Sequence, residues 1–194
     1  MLETLGAPLD LAPEEVARAF DHLQSSGKVR YFGVSNHTPG QIELLKTAVD
    51  QPLVVNQLEL NVMHNHLINE GIVANTDAAT YVGAAGTLDY CRANDIMIQA
   101  WSPVAGGQIF NPKDDAPENV KAVGALIAEL AETYNTNQSA VAFAWLLRHP
   151  AGIQPIVGTL KASRLAESCA ADDVELSRKD WYRLLAAANG AGVP

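Results

Sequence analysis

The chain has 194 residues, 48% of them hydrophobic and 18% charged, which is enough for one domain with a sizeable core and excludes wholesale disorder. Thirteen basic residues against twenty-two acidic ones give a net charge of −9, and phosphate neutralisation needs clustered Lys and Arg, so nucleic acid is not expected as a partner. Cys91 and Cys169 lack metal-type spacing and read as reduced thiols of a cytoplasmic protein; no signal-like run or membrane-length apolar stretch is read in the chain.

Residues 1–12 are weakly patterned. Pro13 opens a helix, "PEEVARAFDHLQSS", with Glu14 and Glu15 in the first turn, where the helix dipole favours acids. Val16, Phe20 and Leu23 give it one apolar face. Gly27 ends it, and "GKVRYFGVSN" supplies a buried strand over 29–34. Thr38 and Pro39 cap and start the helix "PGQIELLKTAV". "PLVVNQLEL" gives a strand over 53–57. Residues 61–83 read as a long loop with room for a short helix. "GTLDYCRAND" is helical, and "IMIQAWSP" is a strand over 96–101. A loop rich in Gly, Pro and Asp covers about 104–117. Two helices follow, "ENVKAVGALIAELAETY" and "NQSAVAFAWLLRHP". "IQPIVGT" gives a strand over 154–158 and "LKASRLAES" a helix. The last helix starts at Ser177.

Apolar strands alternating with helices predict a parallel sheet covered by helices, with four strands adjacent in sequence order and the whole of 1–194 as one domain. In such folds ligands bind at the carboxyl ends of strands. Ser35, Asn36, Gln57, Trp101, Ser102, Gly158 and Thr159 all fall at such ends. The rim has no nucleophile elbow, P-loop or close carboxylate pair. His64 and His66 are spaced H-x-H without a third ligand nearby, so no metal site is assigned. Two carboxamides, a hydroxyl and a flat aromatic could hold a nicotinamide by paired amide hydrogen bonds and ring stacking, or they are ordinary satisfied rim side chains. Gly158 and Thr159 precede a helix, where free N–H groups attract phosphate, and Lys161 and Arg164 add positive charge. Arg164 and Glu167, one turn apart, also suit a surface ion pair.

"GKVRYFGVSNHTPGQIELL", "VVNQLELN", "GTLDYCRANDIMIQAWSPV" and "QPIVGTLKASRLAES", in that order, resemble the C-terminal part of an aldo-keto reductase, from about Pro13 onward. The resemblance implies the C-terminal half of a (β/α)8 TIM barrel and a nicotinamide cofactor, NADP with NAD as the other candidate. It assigns Ser35, Asn36 and Gln57 to the nicotinamide carboxamide and Trp101 to stacking on its ring. Ser102 and the loop through Gly106 match pyrophosphate contacts. Thr159 and Arg164 match the surroundings of the adenosine 2′-phosphate, and Glu167 and Ser168 match adenine contacts. Gly158 stands where many members carry Lys, which Lys161 could replace.

The family's catalytic Asp, Tyr, Lys and His come from strands upstream of the matched region. No counterpart is read in this chain, whose Tyr31, Tyr81, Tyr90 and Tyr134 do not match the catalytic Tyr. His37, beside the nicotinamide pair, is the nearest candidate acid, with a plain loop role as its alternative. A half barrel exposes two sheet edges, so a homodimer, a complementing N-terminal half, or a truncated product is expected. The function implied is hydride transfer between NADPH and an aldehyde or ketone. The alternatives are a non-catalytic nucleotide-binding or interaction module and an inert remnant. Neither nucleic acid nor a membrane is expected as a partner.

Overall fold

The computed structural model describes residues 2–4, 12–77 and 83–192. Its sheet has five strands, all parallel and in sequence order: β1 (Leu2–Thr4), β2 (Phe32–Ser35), β3 (Leu53–Glu59), β4 (Met97–Trp101) and β5 (Gln154–Pro155). The helices are α1 (Pro13–Ser25), α2 (Pro39–Lys46), α3 (His66–Ile72), α4 (Thr87–Ala93), α5 (Glu118–Thr133), α6 (Gln138–Leu147), α7 (Ala162–Cys169) and α8 (Arg178–Asn189). The parallel, sequential order agrees with the sequence reading.

The bounds differ from it: β3 runs on to Glu59 rather than 57, β4 starts at Met97 rather than 96, and β2 ends at Ser35 rather than 34. β1 is a fifth strand, pairing Leu2 with Phe32 and Thr4 with Val34, in a segment with no visible pattern. β2 starts at Phe32 rather than 29 because α1 uses the preceding residues to close itself: the N–H groups of Lys28 and Val29 both donate to the Leu23 carbonyl, at 3.1 and 3.3 Å. β5 ends at Pro155 rather than 158. The Ile156 N–H still donates to the Ala100 carbonyl at 2.9 Å, so the Pro155 nitrogen faces the open edge of the sheet, where a missing N–H is tolerated. The short helix expected in 61–83 is α3; residues 78–82, including Tyr81, lie outside the described residues, as do 5–11 of the segment before Pro13.

Helix starts follow the residues that predict them. The Thr38 hydroxyl accepts from the Gln41 N–H, and the Gln41 side chain accepts from the Thr38 N–H at 2.8 Å, a reciprocal cap for α2. Ser177 caps α8 by accepting from the Asp180 N–H. Trp145 of α6 and Trp181 of α8 stack with centroids 5.2 Å apart. Each indole N–H donates to the other residue's carbonyl, so two large apolar groups are buried with their polar atoms satisfied.

Side chains alternate across the sheet. Phe32, Val34, Ile98 and Ala100 enter the main core with helix residues such as Phe20, Ile42, Leu88 and Ile127. The other face carries Gly33, Ser35, Val55, Gln57, Met97 and Gln99, and Met97 stays 45% exposed there. Among the described residues, no helix is long and apolar enough to cross a membrane, and Cys91 and Cys169 form no disulfide.

Gly33 permits the β2–β3 contact. A Cβ on it would lie 2.4 Å from Val55 Cγ1 and 2.8 Å from the Val55 carbonyl oxygen. The side chain can rotate away but the backbone oxygen cannot. Gly33→Ala is therefore expected to lower unfolding stability by about 1–3 kcal/mol through overpacking. Gly40→Ala, in open space on α2, should stay within about 1 kcal/mol of the native chain. Urea unfolding of both variants checks this; equal stabilities would mean that the strands part freely.

Candidate functional site

The strand register brings the rim residues together. Ser35 stands opposite Gln57, and Glu59 opposite Trp101. Beyond Ser35 the chain turns into the left-handed region at Asn36, with φ 56°, a conformation that Asn tolerates better than most residues. The Ser35 hydroxyl and the Asn36 N–H both donate to the Gln57 carbonyl, at 3.0 and 2.9 Å. The Asn36 carboxamide donates to Ser35 Oγ at 3.1 Å, and the Trp101 indole N–H reaches Asn36 Oδ1 at 3.4 Å. Ser35, Asn36, Gln57 and Trp101 thus form one polar cluster over β2, β3 and β4. Ser35 is buried, Gln57 and Trp101 are half-buried, and Asn36 is exposed.

His37 is buried. Its Nδ1 lies 2.9 Å from the Ser35 carbonyl oxygen. Its main chain is gripped by Asn56, which accepts from the His37 N–H at 3.4 Å and donates to the His37 carbonyl at 2.8 Å. His37 therefore anchors the strand end, and its ring also borders a cavity of about 630 Å3 beside Trp101, Asn36, Glu59, His64 and His66. The two histidine rings of the H-x-H pair meet edge-on at 4.7 Å. Among the described residues, no group of three His, Cys, Asp or Glu is arranged to hold a metal.

A second cavity, about 610 Å3, lies on the far side of Ser102. It is lined by Ser102, Gly106, Gly158, Thr159, Arg164, Glu167 and Ser168, with Phe110, Phe143 and Val157 among its apolar walls. Ser102, Ala105, Gly106 and Gly107 all have positive φ, between 49° and 83°, so the loop after β4 folds back on itself. Asn61, after β3, steadies that loop: its Nδ2 donates to the Ser102 carbonyl at 3.0 Å while its Oδ1 accepts from the N–H groups of Met63 and His64. Asn61 was not singled out by the sequence, where it looks like any loop Asn.

Among the described residues no ion pair joins Arg164 to Glu167, and both side chains are exposed. Both residues line the second cavity. Ser168 donates its hydroxyl to the Arg164 carbonyl at 2.8 Å, within its own helix. Lys161 does not line the cavity; it precedes the first turn of α7, its N–H donating to Thr159 Oγ1 at 3.2 Å.

One Tyr–Lys pair does exist. Lys46 Nζ lies 3.0 Å from Tyr90 Oη, and Glu43 accepts from the same phenol. These residues sit on α2 and α4, in the helical layer. Burial pushes the Tyr90 phenol up, and the bond to Glu43 adds to the shift despite the nearby Lys46. That is the opposite of a phenol tuned to give up a proton. Burial also pushes the Cys91 thiol up, so it is no thiolate nucleophile.

A parallel α/β layer with a polar rim and a loop-walled cavity at its strand ends has the arrangement in which α/β folds place ligand sites. The sequence pattern of the aldo/keto reductase family matches residues 7–189, and the chain belongs to that family. It is 36% identical over 182 residues to the Bacillus subtilis protein named uncharacterized oxidoreductase YcsN, covering 94% of this chain and 55% of that one. It is 35% identical over 182 residues to the 6-dehydroglucose reductase of Novosphingobium aromaticivorans, covering 94% of this chain and 54% of the relative. The fold is similar to that of the thermostable aldo-keto reductase Tm1743, solved with the inhibitor epalrestat, with a TM-score of 0.72 and 20% identity over 95% of this chain and 58% of that one. The chain spans about half the length of the curated relatives it matches.

Asn56 is fully buried and makes both bonds to the His37 main chain. Asn56→Ala leaves that N–H and carbonyl without partners and should cost about 1–3 kcal/mol. Thermal and urea unfolding check this; an unchanged midpoint would show that the strand end is held from elsewhere.

Proposed function

We propose that the chain is the cofactor-binding part of an NADP(H)-dependent aldo-keto reductase, acting on an aldehyde or ketone. The observation that carries the reading is the 610 Å3 cavity, which gathers Ser102, Gly106, Gly158, Thr159, Arg164, Glu167 and Ser168. These residues are scattered over 67 positions of sequence and share a donor set suited to a phosphorylated nucleotide. The bent loop at Ser102–Gly107 offers backbone N–H groups and hydroxyl for a pyrophosphate. Arg164 offers a planar guanidinium for a 2′-phosphate. The polar cluster at Ser35, Asn36 and Gln57 offers amide donors and acceptors for a carboxamide, with the Trp101 plane beside it. A bound nicotinamide nucleotide supplies the hydride. The chain's own residues bind it, orient it and shield one side of its ring.

The proton for the developing alkoxide needs a general acid of tuned pKa, a contribution of about 10²–10⁴-fold. His37 is committed to its strand end, and Tyr90 lies in the helical layer. In this reading the chain forms the C-terminal half of a (β/α)8 barrel, and the acid comes from a complementing N-terminal half. Docking such a half, or a second copy, also covers the open sheet face and its edges. The name of the 6-dehydroglucose reductase makes a sugar-derived carbonyl the first substrate to assay.

The test is a calorimetric titration of the chain with NADPH and NADH. A charge-assisted bond to phosphate is worth about 1.5–3 kcal/mol. Arg164→Ala should weaken NADPH binding by about tenfold or more and leave NADH nearly unchanged. Equal losses for both would make Arg164 structural, and no binding of either by the native chain would favour an interaction module over a cofactor-binding one.

A further inference from the structure

Three glutamines lie side by side in register across β3, β4 and β5: Gln57 opposite Gln99, and Gln99 opposite Gln154. Their carboxamides form a directed chain. Gln57 Nε2 donates to Gln99 Oε1 at 3.1 Å, and Gln99 Nε2 donates to Gln154 Oε1 at 2.7 Å. A carboxamide accepts at one end and donates at the other. Such a row runs one way at a time: Gln57 cannot turn over alone without facing acceptor to acceptor, and reversing the row requires all three carboxamides to turn together. Gln99, in the middle, is 6% exposed and spends both ends of its amide inside the row. Gln57, half-buried at the rim, has its Nε2 committed, and its Oε1 is the acceptor the row leaves over.

We propose that Gln99 is a positioning residue that locks the Gln57 carboxamide with Oε1 presented at the rim, ready to accept from the N–H of a nicotinamide carboxamide. The inference rests on the cofactor reading above and extends it to a residue that touches no cofactor. Without Gln99 the Gln57 amide has two orientations of similar energy, and one of them offers a donor where the ligand also brings a donor. The same polarity excludes a carboxylate in place of the carboxamide, because Gln57 Oε1 would then face an acceptor. Nicotinic acid nucleotides should bind more weakly than nicotinamide nucleotides for this reason.

Two variants separate positioning from mere packing. Gln99→Met keeps the shape and removes the acceptor. Gln99→Glu keeps an acceptor for Gln57 Nε2, while the exposed Gln154 turns its own amide to donate. Calorimetry with NADPH and with 2′-phospho-ADP-ribose, which lacks the nicotinamide, reads the effect. Gln99→Met should weaken NADPH by about threefold to tenfold, one net hydrogen bond's worth, and leave 2′-phospho-ADP-ribose unchanged. Gln99→Glu should keep NADPH within about twofold. Equal losses for both ligands, or no loss in Gln99→Met, would overturn the proposal. Side-chain amide NMR without any cofactor gives an independent reading. The Gln57 NH2 protons should resist solvent exchange in the native chain and in Gln99→Glu, and exchange freely in Gln99→Met. Fast exchange in the native chain would overturn the ladder itself, whereas slow exchange with no NADPH binding would strike the cofactor reading and leave the ladder standing.

Discussion

Parallel register between β2, β3 and β4 is the constraint on which the site depends. A one-residue slip in a strand sends every side chain to the opposite face. Here the register puts Ser35 opposite Gln57, Gln57 opposite Gln99, and Glu59 opposite Trp101. The irregularity between Phe32 and Gly33 sets that alignment, and Gly33 lets β3 come close enough to hold it. With the strands in step, the Gln57 carbonyl receives both the Ser35 hydroxyl and the Asn36 N–H. The rim is thus a consequence of strand pairing, and little of it depends on loop conformation.

The two cavities divide the chemistry. Among the described residues, the one beside Trp101, Glu59 and His64 has no Lys or Arg in its lining, whereas the one beyond Ser102 includes Arg164. A chain with a net charge of −9 must make any phosphate site locally, from a guanidinium and oriented backbone N–H groups. Ser102 stands at the boundary, tied by Asn61 to the loop that also carries His64. Rim and second cavity are therefore joined through one buried side chain.

Much of this was legible in the sequence, for physical reasons. Thr38-Pro39 and Ser177 mark helix starts because their oxygens satisfy N–H groups that the helix leaves free. The strand ends were legible because an apolar run gave way to Ser, Asn, Gln or Trp. β1 was not legible: three residues are too few to show a strand period, and the strand is defined by its pairing with β2. Lys161 carries the right charge for a phosphate site, but its position ahead of α7 puts it outside the cavity. Gln99 was invisible because one Gln inside a strand says nothing until its neighbours in space are known. The family resemblance supplied roles for the rim residues that their types alone left open.

The central claim is that the Trp101 rim holds the nicotinamide. Trp145 and Trp181 are buried and stacked on each other, and Trp101 is the indole at the rim, where a stacked dihydronicotinamide would quench it by direct contact and energy transfer. The most direct measurement is a fluorescence titration of the chain with NADPH, exciting the indoles and reading emission from the dihydronicotinamide. The account predicts saturable sensitised emission that falls clearly in Trp101→Phe while NADPH still binds, the remainder coming from Trp145 and Trp181. Saturable binding with sensitised emission unchanged in that variant would place the nicotinamide elsewhere and contradict the account.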